Sequence, residues 1–293
     1  MHVLVTGANG MLGIDLCRML EEAGHSVVRT DVGAREGMTV PAWERLDMTD
    51  PENVASLILH HQPDAVIHTA AYTDVDGCER DPDKAYRFNA QGTWNVAAVC
   101  GAHNILLVYI STDFIFDGAK TEPYTEFDTP NPLSHYGGSK LAGERLVAQL
   151  CRKHFIARTS WLFGVHGPSF PGKMIDLAAT KTELNVVCDQ VGSPTHTIDL
   201  AAKIISLLPT SLYGTYHISN RGSCSWCEFA SATLRLAGKP NVIVHPMPAS
   251  QWPSPTRRPA YSVLRHFALE LQGKDDLRTW QDSLEEYIAL RNR

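Results

Sequence analysis

VLVTGANGMLG, residues 3–13, joins a short β-branched run to a glycine-rich turn and then to a helical pattern. Glycines in such a turn let the chain fold back sharply and let backbone N–H groups approach a pyrophosphate. The helix that follows directs its partial positive charge toward that anion. The stretch therefore predicts a dinucleotide-binding strand–turn–helix unit, with a tight turn that binds nothing as the alternative. The residues assigned to the cofactor are Gly7, Gly10, Met11, Leu12 and Gly13.

Strand and helix patterns alternate over the first half of the chain. Asp50-Pro51 opens the second helical pattern with an N-cap acid and a proline at the first helical position. Alternation of this kind predicts an α/β fold, a doubly wound parallel-sheet Rossmann fold whose ligands lie at the carboxyl ends of the strands. The strand patterns cover 3–6, 26–30, 65–69, 105–110 and 155–159, and the helical patterns cover about 11–23, 51–61, 80–102 and 134–153.

Past about residue 160 the pattern loosens, because prolines and glycines interrupt it. We expect residues 1–164, with about 186–221, to form the NAD(P)-binding Rossmann domain. Residues 165–185 and about 222–293 are expected to form a smaller C-terminal substrate-binding lobe. A strand at 186–188 is expected to return to the main sheet.

Composition limits the classes of partner. The 293 residues carry a formal net charge of -6 and no basic run, which argues against nucleic acid. No apolar run approaches the roughly 20 residues of a membrane span, and a secretory signal pattern is lacking at the N-terminus. Seven scattered cysteines, an odd number, do not look like a disulfide framework. The expectation is a cytoplasmic protein, monomeric or homodimeric.

Asp31 ends the second strand pattern, about 20 residues beyond the glycine turn. A carboxylate there accepts both adenosine ribose hydroxyls and repels a 2′-phosphate, so it favours NADH over NADPH. Arg35 is near enough in sequence to accept a 2′-phosphate, which keeps dual use open. Asp47 and Met48, after the third strand, are predicted to flank the adenine, with a helix-capping role as the alternative for Asp47.

Tyr136 and Lys140 are four residues apart within one helical pattern, so both side chains lie on the same face. A free phenol titrates near 10, and a neighbouring ammonium is expected to lower that pKa toward the working range. Thr112 ends a strand, where its hydroxyl can polarise a substrate carbonyl. For Ser111 we favour a helix or turn cap. The predicted catalytic residues are Thr112, Tyr136 and Lys140.

The chain resembles the dTDP-4-dehydrorhamnose reductases, a family of extended short-chain dehydrogenases/reductases, along nearly its whole length. First-half motifs are shared with many sugar-nucleotide enzymes, whereas DQVGSPT, GSCSW and PTRRP are more specific to this group. The matching segments are VLVTGANGMLG (3–13), HTAAYTDVDGCE (68–79), ISTDFIFDG (110–118), NPLSHYGGSKLAGE (131–144), RTSWLFG (158–164), DQVGSPT (189–195), GTYHISNRGSCSWCEFA (214–230) and PTRRP (255–259).

The resemblance implies hydride transfer from NADPH or NADH to C4 of a 4-keto sugar nucleotide, and it assigns further residues. Phe114 departs from the pattern, since relatives often carry Tyr there, and this leaves the exact sugar open. Trp161 has a core role as its alternative, and a solvated pair is the alternative for Arg257 and Arg258. On the cofactor side the resemblance adds Ala70, Ala71, Tyr72 and Asn89; on the substrate side it adds Thr73, Val75, Asp113, Phe114, Trp161, Gln190 and Arg257.

Three other functions remain as alternatives. A dehydratase of this fold carries Thr-Asp-Glu, and the run here is Thr112-Asp113-Phe114, so elimination is disfavoured. An epimerase, or a reductase of another 4-keto sugar, is less directly excluded. A non-catalytic regulatory subunit, like the β subunit of methionine adenosyltransferase, resembles the same family, but the intact catalytic set argues for catalysis.

Cys224-Ser225-Trp226-Cys227 has the spacing of a redox or zinc pair. A tetrahedral zinc site needs four ligands, and no second pair of suitable spacing accompanies this one. Ser225 is expected to start a helix, with both thiols incidental. We predict no structural metal.

Overall fold

The structure, a computed structural model, describes residues 1–33 and 42–292, and strands alternate with helices through most of them. The strands are β1 His2–Thr6, β2 Ser26–Asp31, β3 Glu44–Arg45, β4 Ala65–His68, β5 Leu106–Thr112, β6 His154–Thr159, β7 Leu162–Phe163, β8 Glu183–Val187, β9 Val191–Gly192, β10 Thr195–His196, β11 Gly214–His217, β12 Cys224–Ser225 and β13 Ile243–Met247. The α-helices are α1 Met11–Glu22, α2 Pro51–His61, α3 Val75–Arg80, α4 Pro82–Tyr86, α5 Thr93–Ala102, α6 His135–Leu150, α7 Phe170–Leu177, α8 Thr197–Leu207, α9 Trp226–Leu236, α10 Phe267–Leu271 and α11 Trp280–Arg291.

Seven strands form one parallel sheet in the order β11-β6-β5-β4-β1-β2-β3. Chain order reverses between β1 and β4, which makes this the topological switch point where a doubly wound sheet binds its ligand. Helices α1 and α8 cover one face, while α2, α5 and α6 cover the other. The predicted α/β doubly wound fold is confirmed.

The helix starts predicted from capping residues are found in the structure. Asp50 accepts the N–H groups of Glu52 and Asn53 at the start of α2. Ser225 starts α9 and forms a capping box with Glu228. Both caps accept hydrogen bonds from backbone N–H groups that have no partner inside the helix.

The continuous helix predicted over 80–102 is instead divided into segments. Asp81 ends α3 and caps α4, because Pro82 has no N–H to continue the α3 ladder. A π-helical turn, Arg87–Gly92, then joins α4 to α5. This turn carries Asn89, whose side chain is described below.

The strand expected at 186–188 does not join the main sheet. Residues 183–187 form β8, which pairs with β13 outside that sheet. Leu184 and Val186 are buried whereas Glu183 and Asn185 are exposed, so one face of β8 is in solvent. Strands inside a doubly wound parallel sheet are buried on both faces, which explains why β8 does not lie there. The strand that completes the sheet is β11.

The remaining elements pack as a second cluster beside the sheet. Helix α9 contacts α7, α11, β8 and β13. The apolar core of this cluster includes Phe163, Phe229, Trp280 and Tyr287. Apart from Phe163 and the end of β8, these parts of the cluster lie within 165–185 and 222–293, and the division into two domains stays a prediction.

A disulfide joins Cys188 to Cys227, 39 residues apart. The sequence predicted no disulfide framework and an incidental role for the Cys227 thiol, and the second of these expectations is wrong. The pair could not be predicted from spacing along the chain. Cys188 follows β8 and Cys227 lies in the first turn of α9, so the two cysteines meet only because α9 packs on β8. Cys224, the other thiol of the short motif, stays free and buried.

Candidate active site

A cavity of about 1030 Å³ lies along the carboxyl ends of the sheet strands and opens toward the smaller cluster. Its volume suits a dinucleotide together with a second ligand, because drug-sized ligands occupy about 300–1,000 Å³. Residues from the glycine turn, β5, α6 and the chain beyond 160 all line it. The predicted cofactor and catalytic regions therefore share one cavity.

The glycine turn is shaped to accept a diphosphate. Gly7 has φ of +69°, and a Cβ at Gly13 would lie 2.2 Å from the Gly7 carbonyl oxygen. Gly10 is the N-cap of α1 and provides no side-chain cap, so the first N–H groups of this helix face the cavity side. Unpaired N–H groups beside a cradle without side chains fit the pyrophosphate of a nicotinamide dinucleotide.

Asp31 lies at the end of β2 and lines the cavity. Its carboxylate accepts the backbone N–H of Asn9 at 2.9 Å and that of Val32 at 2.7 Å. The Asn9 amide in turn donates to the Gly33 carbonyl at 2.9 Å, which links the glycine turn to the β2 end. Arg35 lies outside the described residues.

Asp47 and Met48 also line the cavity. Asp47 accepts the Thr49 hydroxyl at 2.7 Å and the Thr49 N–H at 2.9 Å, and these bonds hold its pKa below the usual range. It therefore caps a turn, while Asp50 is the cap of α2. Met48 packs against Gly92, where a Cβ would lie 2.8 Å from the methionine Cγ.

The chain after β4 forms the next part of the wall. Ala70, Ala71 and Thr73 line the cavity, whereas Tyr72 and Asn89 are not among the lining residues. The Asn89 amide accepts the Tyr72 N–H at 2.8 Å and donates to the Tyr72 carbonyl at 3.0 Å. Asn89 is fully buried, so it supports this edge through the Tyr72 backbone.

Tyr136 and Lys140 both project from α6 into the cavity. Burial lowers the pKa of Lys140 to about 7, and the nearby Glu144 carboxylate opposes that change. The Lys140 ammonium lies 4.1 Å from the centroid of the Tyr109 ring, a cation–π contact that fixes its position. The predicted placement of the phenol and ammonium on one helix face agrees with the structure.

The pKa of Tyr136 is raised, in the direction opposite to the sequence expectation. Burial is the largest cause, and a hydrogen bond with Thr112 works against it. The phenol ring meets the Phe114 ring edge-on at 5.5 Å between centroids. Removal of the phenolate from water outweighs the stabilisation expected from the ammonium. Tyr136 is therefore neutral near pH 7, as an unperturbed tyrosine also is.

The capping role expected of Ser111 belongs to Thr112. The Thr112 hydroxyl accepts the Phe114 N–H at 3.2 Å and donates to Asp113 Oδ1 at 3.1 Å. The Ser111 hydroxyl is buried and has no hydrogen-bond partner. The cap lies one residue later than expected because β5 continues to Thr112 and a short 3₁₀ turn, Asp113–Ile115, follows at once.

Asp113 is a buried carboxyl in the wall of the cavity. Burial raises its pKa to about 6, although a hydrogen bond from the Ser262 hydroxyl at 2.6 Å opposes the shift. Ser262 also lines the cavity, and nothing in the sequence motifs singled it out. Ser262 reaches the site because the chain after the PTRRP segment passes next to Asp113, the residue that follows β5.

Two tryptophans line the cavity on the side of the smaller cluster. Trp161 stacks on Trp226 with centroids 3.5 Å apart and planes at 6°. The Trp226 indole N–H donates to the Gln190 side-chain oxygen at 3.3 Å. Trp161 is half-buried and has φ of +46°, so it is a wall residue rather than a core residue. No role was predicted for Trp226 from the sequence, because the Cys224–Cys227 motif was considered only for its two thiols and its helix cap.

Thr73, Val75, Phe114 and Gln190 line the cavity as expected, but Arg257 does not. Arg257 is exposed, and its neighbour Arg258 is half-buried and lines the wall. Successive side chains of an extended segment point in opposite directions, so a pair such as this offers only one arginine to the cavity. The sequence named this segment, and it is Arg258 that lines the cavity, whereas a role for Arg257 in substrate binding stays a prediction.

Among residues 1–33 and 42–292, no group of three or more His, Cys, Asp or Glu side chains is arranged to hold a metal ion. Within the same part of the chain no helix is both long and apolar enough to cross a bilayer.

A glycine cradle at the switch point, joined to a Thr, Tyr and Lys set, defines the class as an extended short-chain dehydrogenase/reductase. The chain belongs to the family of the RmlD substrate binding domain, whose model matches residues 1–292. The family resemblance drawn from the sequence is thus confirmed.

Individual relatives match over nearly the whole chain. A dTDP-4-dehydrorhamnose reductase structure from Clostridium acetobutylicum is 43% identical, with a TM-score of 0.93 and coverage of 100% of both chains. The structure of the reductase of that name from Bacillus anthracis, in complex with NADP, is 41% identical, with a TM-score of 0.92 and 99% coverage of both. The spore coat polysaccharide biosynthesis protein SpsK of Bacillus subtilis is 41% identical, over 99% of this chain and 98% of its own.

Proposed function

We propose that this protein transfers a hydride from NAD(P)H to C4 of dTDP-4-dehydro-6-deoxy-L-mannose, giving dTDP-L-rhamnose for cell-surface polysaccharide. The observation that carries the proposal is the single cavity that holds the diphosphate cradle, Tyr136, Lys140 and a wall of aromatic side chains. Relatives named for this reaction, similar over nearly full length, support it. The cytoplasm remains the proposed location, and the Cys188–Cys227 disulfide is the observation against it.

The nicotinamide supplies the hydride when it is bound, and the chain's residues manage the proton. Tyr136 donates its phenolic proton to the C4 oxygen, which balances the hydride and completes the alcohol. Its raised pKa keeps that proton on the phenol until the substrate oxygen becomes basic. The Thr112 hydroxyl, which bonds to Asp113 here, is the second donor within reach of the same oxygen.

Lys140 has two roles in this scheme. Its ammonium binds the nicotinamide ribose, and its charge stabilises the phenolate that remains after proton donation. The Tyr109 ring beneath it and Glu144 one turn along α6 keep the ammonium in place. Glu144 favours the charged form that both roles require.

For the coenzyme we propose NADH or NADPH, with Asp31 favouring NADH. The Asp31 carboxylate lines the cavity and would face the adenosine ribose, where it opposes a 2′-phosphate. The related Bacillus anthracis structure contains NADP, so the two coenzymes must be compared directly. A monomer or a homodimer is proposed as the assembly.

We propose that the sugar nucleotide binds in the part of the cavity between the carboxyl ends of the sheet strands and the smaller cluster. Trp161 and Phe114 present aromatic surfaces, and Thr73, Asp113 and Gln190 present polar atoms, all in the cavity wall. Phe114 lacks the hydroxyl that relatives often carry, and a different 4-keto-6-deoxy sugar is therefore the second candidate substrate.

Tyr136→Phe tests the assignment. The change keeps the ring that packs on Phe114, so the fold and the coenzyme Kd should stay near wild type. Turnover should fall by about 10²–10⁴-fold, because only proton donation is lost. Tyr213→Phe, at an exposed tyrosine outside the cavity lining, is the matched control.

The assay follows NADH and, separately, NADPH absorbance with dTDP-4-keto-6-deoxy-L-mannose generated in situ, and it identifies the product. Oxidation coupled to dTDP-L-rhamnose formation supports the proposal. Near-normal turnover in Tyr136→Phe contradicts the catalytic role. Absence of oxidation with either coenzyme, while both bind, contradicts reduction of this keto sugar and favours either another 4-keto sugar or the regulatory alternative.

A further inference from the structure

One carboxylate holds the segment 254–258 against the wall of the cavity. Asp76 Oδ1 accepts the Ser254 hydroxyl at 2.7 Å, the Thr256 hydroxyl at 2.8 Å and Arg258 Nη2 at 3.1 Å. Asp76 lies in the first turn of α3, about 180 residues earlier in the chain. These three bonds therefore join the nucleotide-binding side of the cavity to the C-terminal part of the chain.

Asp76 is ionised in this arrangement. Burial alone would raise its pKa, but the two hydroxyl bonds and the Arg258 charge outweigh burial and hold the pKa below its usual range. An ionised carboxylate with a charged partner forms stronger hydrogen bonds than a neutral acceptor does. The position of the Arg258 guanidinium thus depends on the charge of Asp76.

Arg258 is the cation best placed for an anionic ligand at this end of the cavity. Among the described lining residues only Lys140 and Arg258 carry a positive charge, and Lys140 lies against Tyr109 beside Tyr136. The Arg258 guanidinium lies 6.0 Å from the Phe114 ring centroid, next to the residues expected to meet the sugar. The bond to Asp76 uses one of the five N–H donors of the Arg258 guanidinium. Two of the remaining donors can bind a phosphate group.

We propose that Asp76 is a positioning residue that holds Arg258 where its guanidinium binds the diphosphate of the sugar nucleotide. Asp76 itself does not contact the substrate. The inference rests on the proposed function, since it takes a nucleoside diphosphate sugar as the ligand. It adds a residue, Asp76, to which neither motif nor resemblance gave a role.

Binding of dTDP, with thymidine as the probe that lacks the diphosphate, tests this without any turnover. Arg258→Ala should weaken dTDP about ten- to hundredfold, because charged hydrogen bonds are lost. Arg258→Lys should recover part of that loss. Arg152→Ala, at an exposed arginine outside the cavity lining, should change it less than about twofold. Thymidine affinity and the NADPH Kd should stay unchanged in all three variants.

Asp76→Asn keeps the shape and one acceptor oxygen but removes the charge. It should weaken dTDP about fivefold, raise KM for the sugar nucleotide and leave kcat nearly unchanged. Combined with Arg258→Ala it should add nothing, because Asp76 acts through Arg258. Additive losses, or equal losses for thymidine and NADPH, would mean a merely structural role and overturn the proposal. Should Asp76→Asn fail to fold, Asp76→Glu, which keeps the charge but shifts it by one methylene, takes its place with the same criteria.

The outcome separates the two proposals. If Arg258→Ala binds dTDP as tightly as wild type while the wild-type enzyme reduces the keto sugar, the inference fails and the proposed function stands. If dTDP binding shows the expected pattern but no keto sugar is reduced, the inference stands for a dTDP-binding protein and the proposed reaction fails.

Discussion

Glu144→Gln removes one charge from a buried ion pair one helical turn beyond Lys140, the proposed catalytic lysine. Glu144 and Arg158 are 4% and 6% exposed, and their oxygens and nitrogens lie 2.8–3.2 Å apart in three contacts. The pair connects α6, which carries Tyr136 and Lys140, to β6 of the sheet. The substitution keeps the side-chain volume, so its effects come from the charge.

Two consequences follow. An uncompensated Arg158 charge in the interior should lower the free energy of unfolding by about 3–5 kcal/mol, a large part of the 5–15 kcal/mol typical of a domain. The pKa of Lys140, which burial places at about 7 and Glu144 raises, should fall further. A lysine loses its charge as pH rises through its pKa. A lower pKa therefore shifts the alkaline loss of kcat/KM to lower pH.

Urea denaturation measures the first effect, and the pH profile of kcat/KM measures the second. Glu144→Leu combined with Arg158→Met separates them, because replacing both charges with apolar side chains should restore most of the stability. The alkaline limb should stay shifted in that double variant, since the carboxylate is still missing. A stable Glu144→Gln protein, or an alkaline limb at its wild-type position, would refute the reasoning.

Two further predictions concern the disulfide and the glycine cradle. Cys188→Ser should lower the free energy of unfolding by up to about 4 kcal/mol, because the bond closes a loop of 39 residues. Cys224 is free, so Cys224→Ser keeps the disulfide, and a dithiol reductant should still lower the urea midpoint of that variant. Unfolding in urea with and without the reductant checks this, and an unchanged midpoint in Cys188→Ser contradicts it. Gly13→Ala should weaken NADPH about ten- to hundredfold, because its Cβ would lie 2.2 Å from the Gly7 carbonyl oxygen; NADPH fluorescence titration measures it, and Gly33→Ala, with open space around its Cβ, is the control.

The parts of the site that could be predicted are those encoded over a few residues. Gly7 to Gly13 must turn sharply whatever packs around them, and a separation of four residues places Tyr136 and Lys140 on one helix face. Asp31 follows from the length of one βαβ unit. Strand and helix alternation then determined the fold, since few topologies remain once each crossover is right-handed.

The parts that could not be predicted depend on contacts between distant segments. Cys188 meets Cys227 only after α9 packs on β8, and Arg258 rather than Arg257 faces the cavity because Asp76 holds the segment there. The single-residue error at Ser111 has the same origin. Whether the cap falls on one residue or the next depends on where β5 leaves the sheet, and β6 sets that point through the pairing of Thr112 with Thr159.

The raised pKa of Tyr136 is consistent with a role as proton donor in the proposed reduction. A depressed pKa would favour phenolate, which accepts a proton and serves oxidation of an alcohol. Burial instead keeps the phenol neutral, and a neutral phenol serves reduction because it gives its proton to the new alkoxide. The phenolate left behind has Thr112 as a hydrogen-bond partner and Lys140 on the same helix face. Retention of the proton before hydride transfer, followed by stabilisation of the phenolate, suits the proposed reduction.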